Sequence, residues 1–359
     1  MNNSLSNSTE AQPSAPIQGH NHFLVDLAKA LSSGKMHHAW LLTGPVGIGK
    51  ASIAKLAAAW LLSGRARPGA SGGMDGFNIT IDASDFGASL VIKGAHPDYK
   101  LISPLAEDNK SGQIKIDQIR ELLPFMMHKP ARGGWRVAII DSMDVVNRNG
   151  ANALLKLLEE PPEQAVIFLI ASQIGHLPPT IRSRCRLVRM TRLAPEACLT
   201  ALRRIWPDAD AGQLDIFVKL SQGAPGQAVQ LADSGAADLY QVVCALLQSS
   251  PLDRPALASA CAKWGRATAT SRNLRVGAIF CVDRLLRHAA LHASDVRADH
   301  LCDFEMPVIE RLASNHTAAQ LARFHNEFVT KAAQAEELYL DFARFLERHL
   351  IKIYEKTLP

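Results

Sequence analysis

The stretch that most constrains this chain is Gly44-Pro45-Val46-Gly47-Ile48-Gly49-Lys50-Ala51. An apolar run, Ala39-Trp40-Leu41-Leu42, precedes it, and an alanine-rich segment, residues 52–62, follows. Strand, glycine loop, helix is the setting in which such a loop cradles phosphate. Gly44, Gly47 and Gly49 let backbone N–H groups turn toward an anion, and the new helix presents its positive end to the same point. Lys50 is placed to reach the outer phosphates. The last position departs from that chemistry. A working loop carries a Ser or Thr hydroxyl there to hold Mg²⁺, and Ala51 has no ligand atom. The sequence keeps the architecture of a nucleotide-binding domain and lacks part of its chemistry.

With 359 residues, 47% of them hydrophobic, the chain can build about two or three cores. It has no run of about eighteen apolar residues, so no membrane-spanning helix is expected. Residues 1–16 lack the charged start and apolar centre of a signal peptide; residues 1–18 read as a disordered tail, and a cytoplasmic location is expected. The six cysteines (Cys185, Cys198, Cys244, Cys261, Cys281, Cys302) form no C-x-x-C pair, and most sit in apolar helical pattern. Buried free thiols are the expectation, with neither disulfides nor zinc. A net charge of +5 permits a nucleic-acid neighbour without requiring one.

Helical spacing of Phe23, Leu24, Leu27, Ala28 and Leu31 predicts a helix ahead of the first strand. Residues 63–94 hold seven glycines and little periodicity, and read as a surface insertion, poorly ordered in part. Short apolar runs at 99–102, 136–141, 165–171 and 186–190 read as further strands, with helical patterns from about 117 and over 152–160 between them. The second ends at Pro161-Pro162. This alternation predicts a parallel sheet with helices on both faces, and the strand closing in Asp141 ends at its ligand edge. Beyond Leu193 the pattern is wholly helical: short helices over 193–235, interrupted by Pro207 and Gly223-Ala224-Pro225-Gly226, then a separate helical domain over 236–359.

Four segments carry a family resemblance: His37-His38-Ala39-Trp40-Leu41-Leu42-Thr43-Gly44; Ile116-Asp117-Gln118-Ile119-Arg120; Asn152-Ala153-Leu154-Leu155-Lys156 with Leu158-Glu159-Glu160-Pro161-Pro162; and Thr180-Ile181-Arg182-Ser183-Arg184-Cys185. Together they resemble the clamp-loader branch of the AAA+ ATPases, and within it the delta-prime family of bacterial DNA polymerase III. The resemblance implies a AAA+ P-loop NTPase-type α/β domain over 19–192, a small helical lid over 193–235 and an all-α oligomerisation collar over 236–359. Active relatives follow the aspartate equivalent to Asp141 with a water-orienting Glu, where this chain has Ser142. They also carry a lid arginine where this chain has Gly226. With Ala51, these substitutions imply that the chain binds nucleotide weakly or not at all and does not hydrolyse it. Many delta-prime chains hold zinc on four cysteines between the loop helix and the next strand; here that interval has none, so no metal site is expected.

Ser183-Arg184-Cys185 points to a function retained. In clamp-loader subunits this motif presents its arginine to the neighbouring subunit's ATP site, and a planar, permanently charged guanidinium suits that task. Arg182, Arg186, Arg189 and Arg192 make the neighbourhood basic, through phosphate contact or as a solvated strand edge. The partners implied are motor subunits of tau/gamma type and a delta subunit, and through them the sliding clamp and primer–template DNA. The rival readings are a working AAA+ ATPase, such as a motor subunit or a Holliday-junction helicase, and a small-molecule kinase. Ala51 and Ser142 count against the first, Ser183-Arg184-Cys185 and the all-helical second half against the other.

Overall fold

The computed structural model describes residues 19–63, 85–104, 113–131, 134–265, 271–296, 300–337 and 341–355. The expected tail, 1–18, and residues 64–84 of the expected insertion lie outside them. Contacts divide the described chain into two units, one of residues 19–207 with 223–226, the other of 208–222 with 227–355. The expected lid segment, 193–235, contributes residues to both units.

The first unit is built on five parallel strands, β1 (Ala39–Thr43), β2 (Tyr99–Ile102), β3 (Arg136–Asp141), β4 (Ala165–Ala171) and β5 (Arg186–Arg189), in the order β2-β3-β4-β1-β5. β1 and β4 are buried along their whole length, as strands covered on both faces must be. Alternate side chains go to opposite faces. Trp40, Leu42, Ile139 and Phe168 join Phe23 and Leu27 of α1 (Asn21–Ser32) with the buried face of α2 (Lys50–Leu62). Leu41, Ile140 and Leu169 face Ile119 of α4 (Ile116–Met127), Leu154 of α5 (Arg148–Glu159) and Ile181 of the single-turn α6 (Pro179–Arg182). Phe23 meets Trp40 and Phe168 edge-on, at 5.7 and 5.8 Å between ring centroids. After β5 comes α7 (Pro195–Ile205).

Two boundaries differ from the sequence reading. Residues 86–92, read as insertion, form α3, capped by the Asp85 carboxylate on the Ala88 N–H and packed on α2 through Ala88 and Val91. A seven-residue helix is too short to display a periodic pattern. Helix α5 starts at Arg148, earlier than its apolar pattern, because Asn147 caps it by accepting the Gly150 N–H.

The second unit contains α8 (Ala211–Ser221), most of α9 (Pro225–Ser234), α10 (Ala236–Gln248), α11 (Arg254–Gly265), α12 (Ser271–His292), α13 (Met306–Asn315), α14 (Ala318–Glu337) and α15 (Phe342–Tyr354). Inside it lies an ion pair with both side chains fully buried. Arg284 of α12 donates through Nε and Nη2 to Glu305, at 2.7 and 2.9 Å. The Tyr240 hydroxyl and the Cys302 N–H also donate to this carboxylate, and the His300 carbonyl accepts from Arg284. Burial alone would raise the Glu305 pKa; the hydrogen bonds and charge of Arg284 outweigh it and hold the carboxyl below its ordinary value.

Removing one partner of a buried pair strands the other. Arg284→Leu should therefore destabilise the chain by about 3–5 kcal/mol, read from urea unfolding followed by circular dichroism. Because the Glu305 pKa is depressed on folding, its contribution is complete above the ordinary value of 4.5 and is lost as pH falls through the lower folded value. The wild-type urea midpoint should fall across that range, and less so in Glu305→Gln.

Candidate functional site: a phosphate loop and an arginine at opposite edges of one sheet

The loop leaves β1 at its C-terminal edge. Gly44, Gly47 and Gly49 all have positive φ, at 151°, 80° and 95°. At Gly44 a Cβ would lie 2.2 Å from the Met190 carbonyl oxygen, so only glycine fits. Lys50 is buried, and its Nζ donates to the Gly44 and Pro45 carbonyls at 2.6 Å each. The ammonium is thus turned onto the loop's own backbone. Burial lowers its pKa, against the opposing pull of Asp144 and Asp141. Ala51 follows it in the first turn of α2 and supplies no oxygen.

Asp141 closes β3 at this edge. Burial raises its carboxyl, while Lys50 and the Ser142 hydroxyl act to lower it. Ser142 has φ 150° and ψ 106°, a region that only glycine occupies readily. The strain sits at the position where active relatives would need a carboxylate. Asp144 does not point to catalysis: its two oxygens accept the Ser172 and Gln173 N–H groups at 2.6 and 3.1 Å, tying the end of β3 to the end of β4.

Gly226, where a lid arginine was looked for, lies against the loop. Its N–H donates to the Gly47 carbonyl at 2.8 Å, and a Cβ there would come within 3.0 Å of the Gly47 Cα. Just upstream, Gly223 has φ 79° and its carbonyl accepts the Leu193 N–H at 2.8 Å, which fixes the approach. Packing against the loop therefore favours glycine at this position. Position 51 has no side-chain oxygen and position 142 no carboxylate, and at position 226 a Cβ would be tight against the Gly47 backbone. Among the described residues no three His, Cys, Asp or Glu are grouped to hold a metal ion.

Arg184 lies elsewhere. In the parallel register Trp40 pairs with Arg186 and Thr43 with Arg189, so the loop follows one end of β1 while Arg184 precedes β5 at the other. Three residues of strand alone separate these ends by about 10 Å. The Arg184 guanidinium donates through Nη1 to the Thr180 carbonyl at 3.0 Å, with the Ser183 hydroxyl at 3.5 Å, and through Nη2 to the Glu159 carboxylate at 2.8 Å. Ser183 donates its own hydroxyl to the Thr180 carbonyl at 3.1 Å. Cys185 packs into the core beside α5, and burial pushes its thiol up to about 12, so it stays protonated and acts as filling. The other five cysteines are buried and free. Of the neighbouring arginines, Arg186 is committed to Asp26 at 3.0 Å and lies 4.6 Å over the Trp40 ring. The sequence reading located the loop and Arg184 but not their separation, nor Glu159 as a partner, since each depends on strand order.

A five-stranded parallel sheet in this order, with a glycine phosphate loop after β1 and an aspartate ending β3, defines the AAA+ type of P-loop module. Residues 19–194 match the family described as DNA polymerase III, delta subunit. The chain is 37% identical to DNA polymerase III subunit delta' of Pseudomonas aeruginosa over 198 residues, 55% of this chain and 56% of that one. It is 30% identical to the Escherichia coli tau subunit over 230 residues, 63% of this chain and 33% of that one. A DNA polymerase III gamma subunit-related protein from Thermotoga maritima superposes with a TM-score of 0.47 at 16% identity, covering 94% of this chain and 99% of that one. Over residues 19–194 this chain is therefore similar to the DNA polymerase III delta-subunit family. The matches span about half the length of these curated relatives, or less.

The packing at Gly226 gives a direct test. Gly226→Ala places a methyl group against the Gly47 backbone, which has no side chain to yield, and should destabilise the chain by about 1–3 kcal/mol in urea unfolding. An unchanged midpoint would mean that the loop and the start of α9 are not in contact.

Proposed function

We propose that this chain is a non-hydrolysing, delta-prime-like subunit of a DNA polymerase III clamp loader, lending Arg184 in trans to the ATP site of a neighbouring motor subunit. The observation that carries this reading is the placement of Arg184 at the sheet edge opposite the chain's own phosphate loop. From there it cannot serve that loop and is available to another subunit. The absence of a hydroxyl at Ala51 and of a carboxylate at Ser142 supports the lack of turnover. In this reading the chain joins motor subunits of tau/gamma type and a delta subunit through its all-helical C-terminal part. It helps to place the sliding clamp on primer–template DNA.

Two measurements test the proposal. Calorimetry of the isolated chain should detect no micromolar MgATP binding, and no Mg²⁺-dependent phosphate release should survive repurification; Ala51→Ser alone should not create turnover. In the reconstituted complex, Arg184→Ala should leave assembly intact while slowing one motor site by on the order of a thousandfold, resolved by single-turnover kinetics. Lys at this position should not restore the rate, because an ammonium lacks the planar fork. Wild-type firing of every site by Arg184→Ala would refute the trans role.

A further inference from the structure

Both terminal nitrogens of Arg184 are engaged by its own chain, Nη1 by the Thr180 carbonyl and Nη2 by Glu159. This is the fork a guanidinium would offer to a phosphate. Glu159 is the last residue of α5, and a carboxylate there meets the negative end of the helix dipole, so its own helix does nothing to stabilise it. Its favourable contact is with Arg184. The pair is open to solvent, with 35% of the arginine side chain and 50% of the glutamate exposed. Ion pairs this exposed are weak and readily exchanged.

From this geometry we infer that Glu159 is a positioning residue for Arg184, an internal anion that holds the guanidinium until a more highly charged phosphate displaces it. The inference rests on the reading that Arg184 acts in trans. A carboxylate carries one negative charge on two oxygens; the terminal phosphate of a nucleoside triphosphate carries more charge on three. Arginine therefore transfers to the phosphate when it is presented and returns to Glu159 when it leaves. No bond is made or broken in the exchange, and the charge on each partner is unchanged. The rivalry is local to the motif: α5 supplies the carboxylate, α6 the competing carbonyl, and Arg184 follows directly after them. Holding the arginine in this way sets how much triphosphate a neighbouring site needs before it is completed, and not how fast the completed site reacts.

The experiment uses the full chain reconstituted with its motor and delta partners, with MgATP as the probe. Glu159→Gln keeps the shape and removes the charge. It should lower the MgATP concentration for half-maximal turnover about two- to fivefold, the range set by an exposed ion pair, and leave the maximal stimulated rate at its wild-type value. Glu159→Asp, which keeps the charge on a shorter arm, should fall between the two. Melting of the free chain should be the same for all three. Combining Glu159→Gln with Arg184→Ala should give the Arg184→Ala behaviour and nothing further, since the carboxylate acts only through the arginine. A half-saturating concentration that is unchanged or raised in Glu159→Gln, while Arg184→Ala still slows turnover, would overturn the holding role and leave the trans arginine standing. If Arg184→Ala has no effect, both readings fail. Loss of assembly by both Glu159 variants would also overturn the inference, placing Glu159 in the interface.

Discussion

The pairing of β1 on both of its edges, with β4 on one side and β5 on the other, is the constraint on which the site depends. Because all three strands run parallel in fixed register, the loop after Thr43 and the turn before Arg186 must emerge at opposite ends of the sheet. Side chains of β1 seal both faces of that arrangement, Trp40 and Leu42 against one helical layer and Leu41 against the other. A one-residue slip would turn Trp40 and Leu42 toward the wrong layer, so the register is fixed by two cores at once. The separation of phosphate loop from arginine is therefore a property of the sheet and not of the loops that carry them.

The electrostatics of the loop follow from burial. Lys50 keeps its place by donating to two carbonyls of the loop, and Asp144 keeps its own by accepting two amides beyond β4. Both charged groups are turned onto backbone atoms of their own chain. Only Asp141 combines a raised carboxyl with a position at the ligand edge, and the residue after it cannot assist it.

Most of the sheet could be read from the sequence because buried parallel strands are continuous apolar runs. β2, β3 and β4 match such runs residue for residue, β1 extends one residue past its run, to Thr43, and β5 falls one residue short of its run, at Arg189. Helix α3 escaped because seven residues following a glycine-rich stretch show no period. Loop and motif residues were found by type and spacing. Their mutual placement was not, since that is decided by strand order, which no local pattern encodes. Gly226 is the clearest case: its sequence reads as a missing arginine, whereas its surroundings show a position where a Cβ would be tight against the Gly47 backbone. The Arg284–Glu305 pair was invisible for a similar reason, because two charges twenty-one residues apart declare themselves buried only once the helices between and around them are packed.

The contact between Gly226 and Gly47 has a consequence for how such a chain could change over generations. In the proposed reading, a complete nucleotide site would take a hydroxyl at 51, a carboxylate at 142 and a cation at 226. The first two are tolerable alone and useless alone. The third presses on the loop it is meant to serve, so the start of α9 or the loop must shift by a few tenths of an ångström, beside the hydrogen bond that joins them. Packing therefore sets the order of any such change: the van der Waals surface between the start of α9 and the loop must be rearranged before a side chain at 226 can be accommodated.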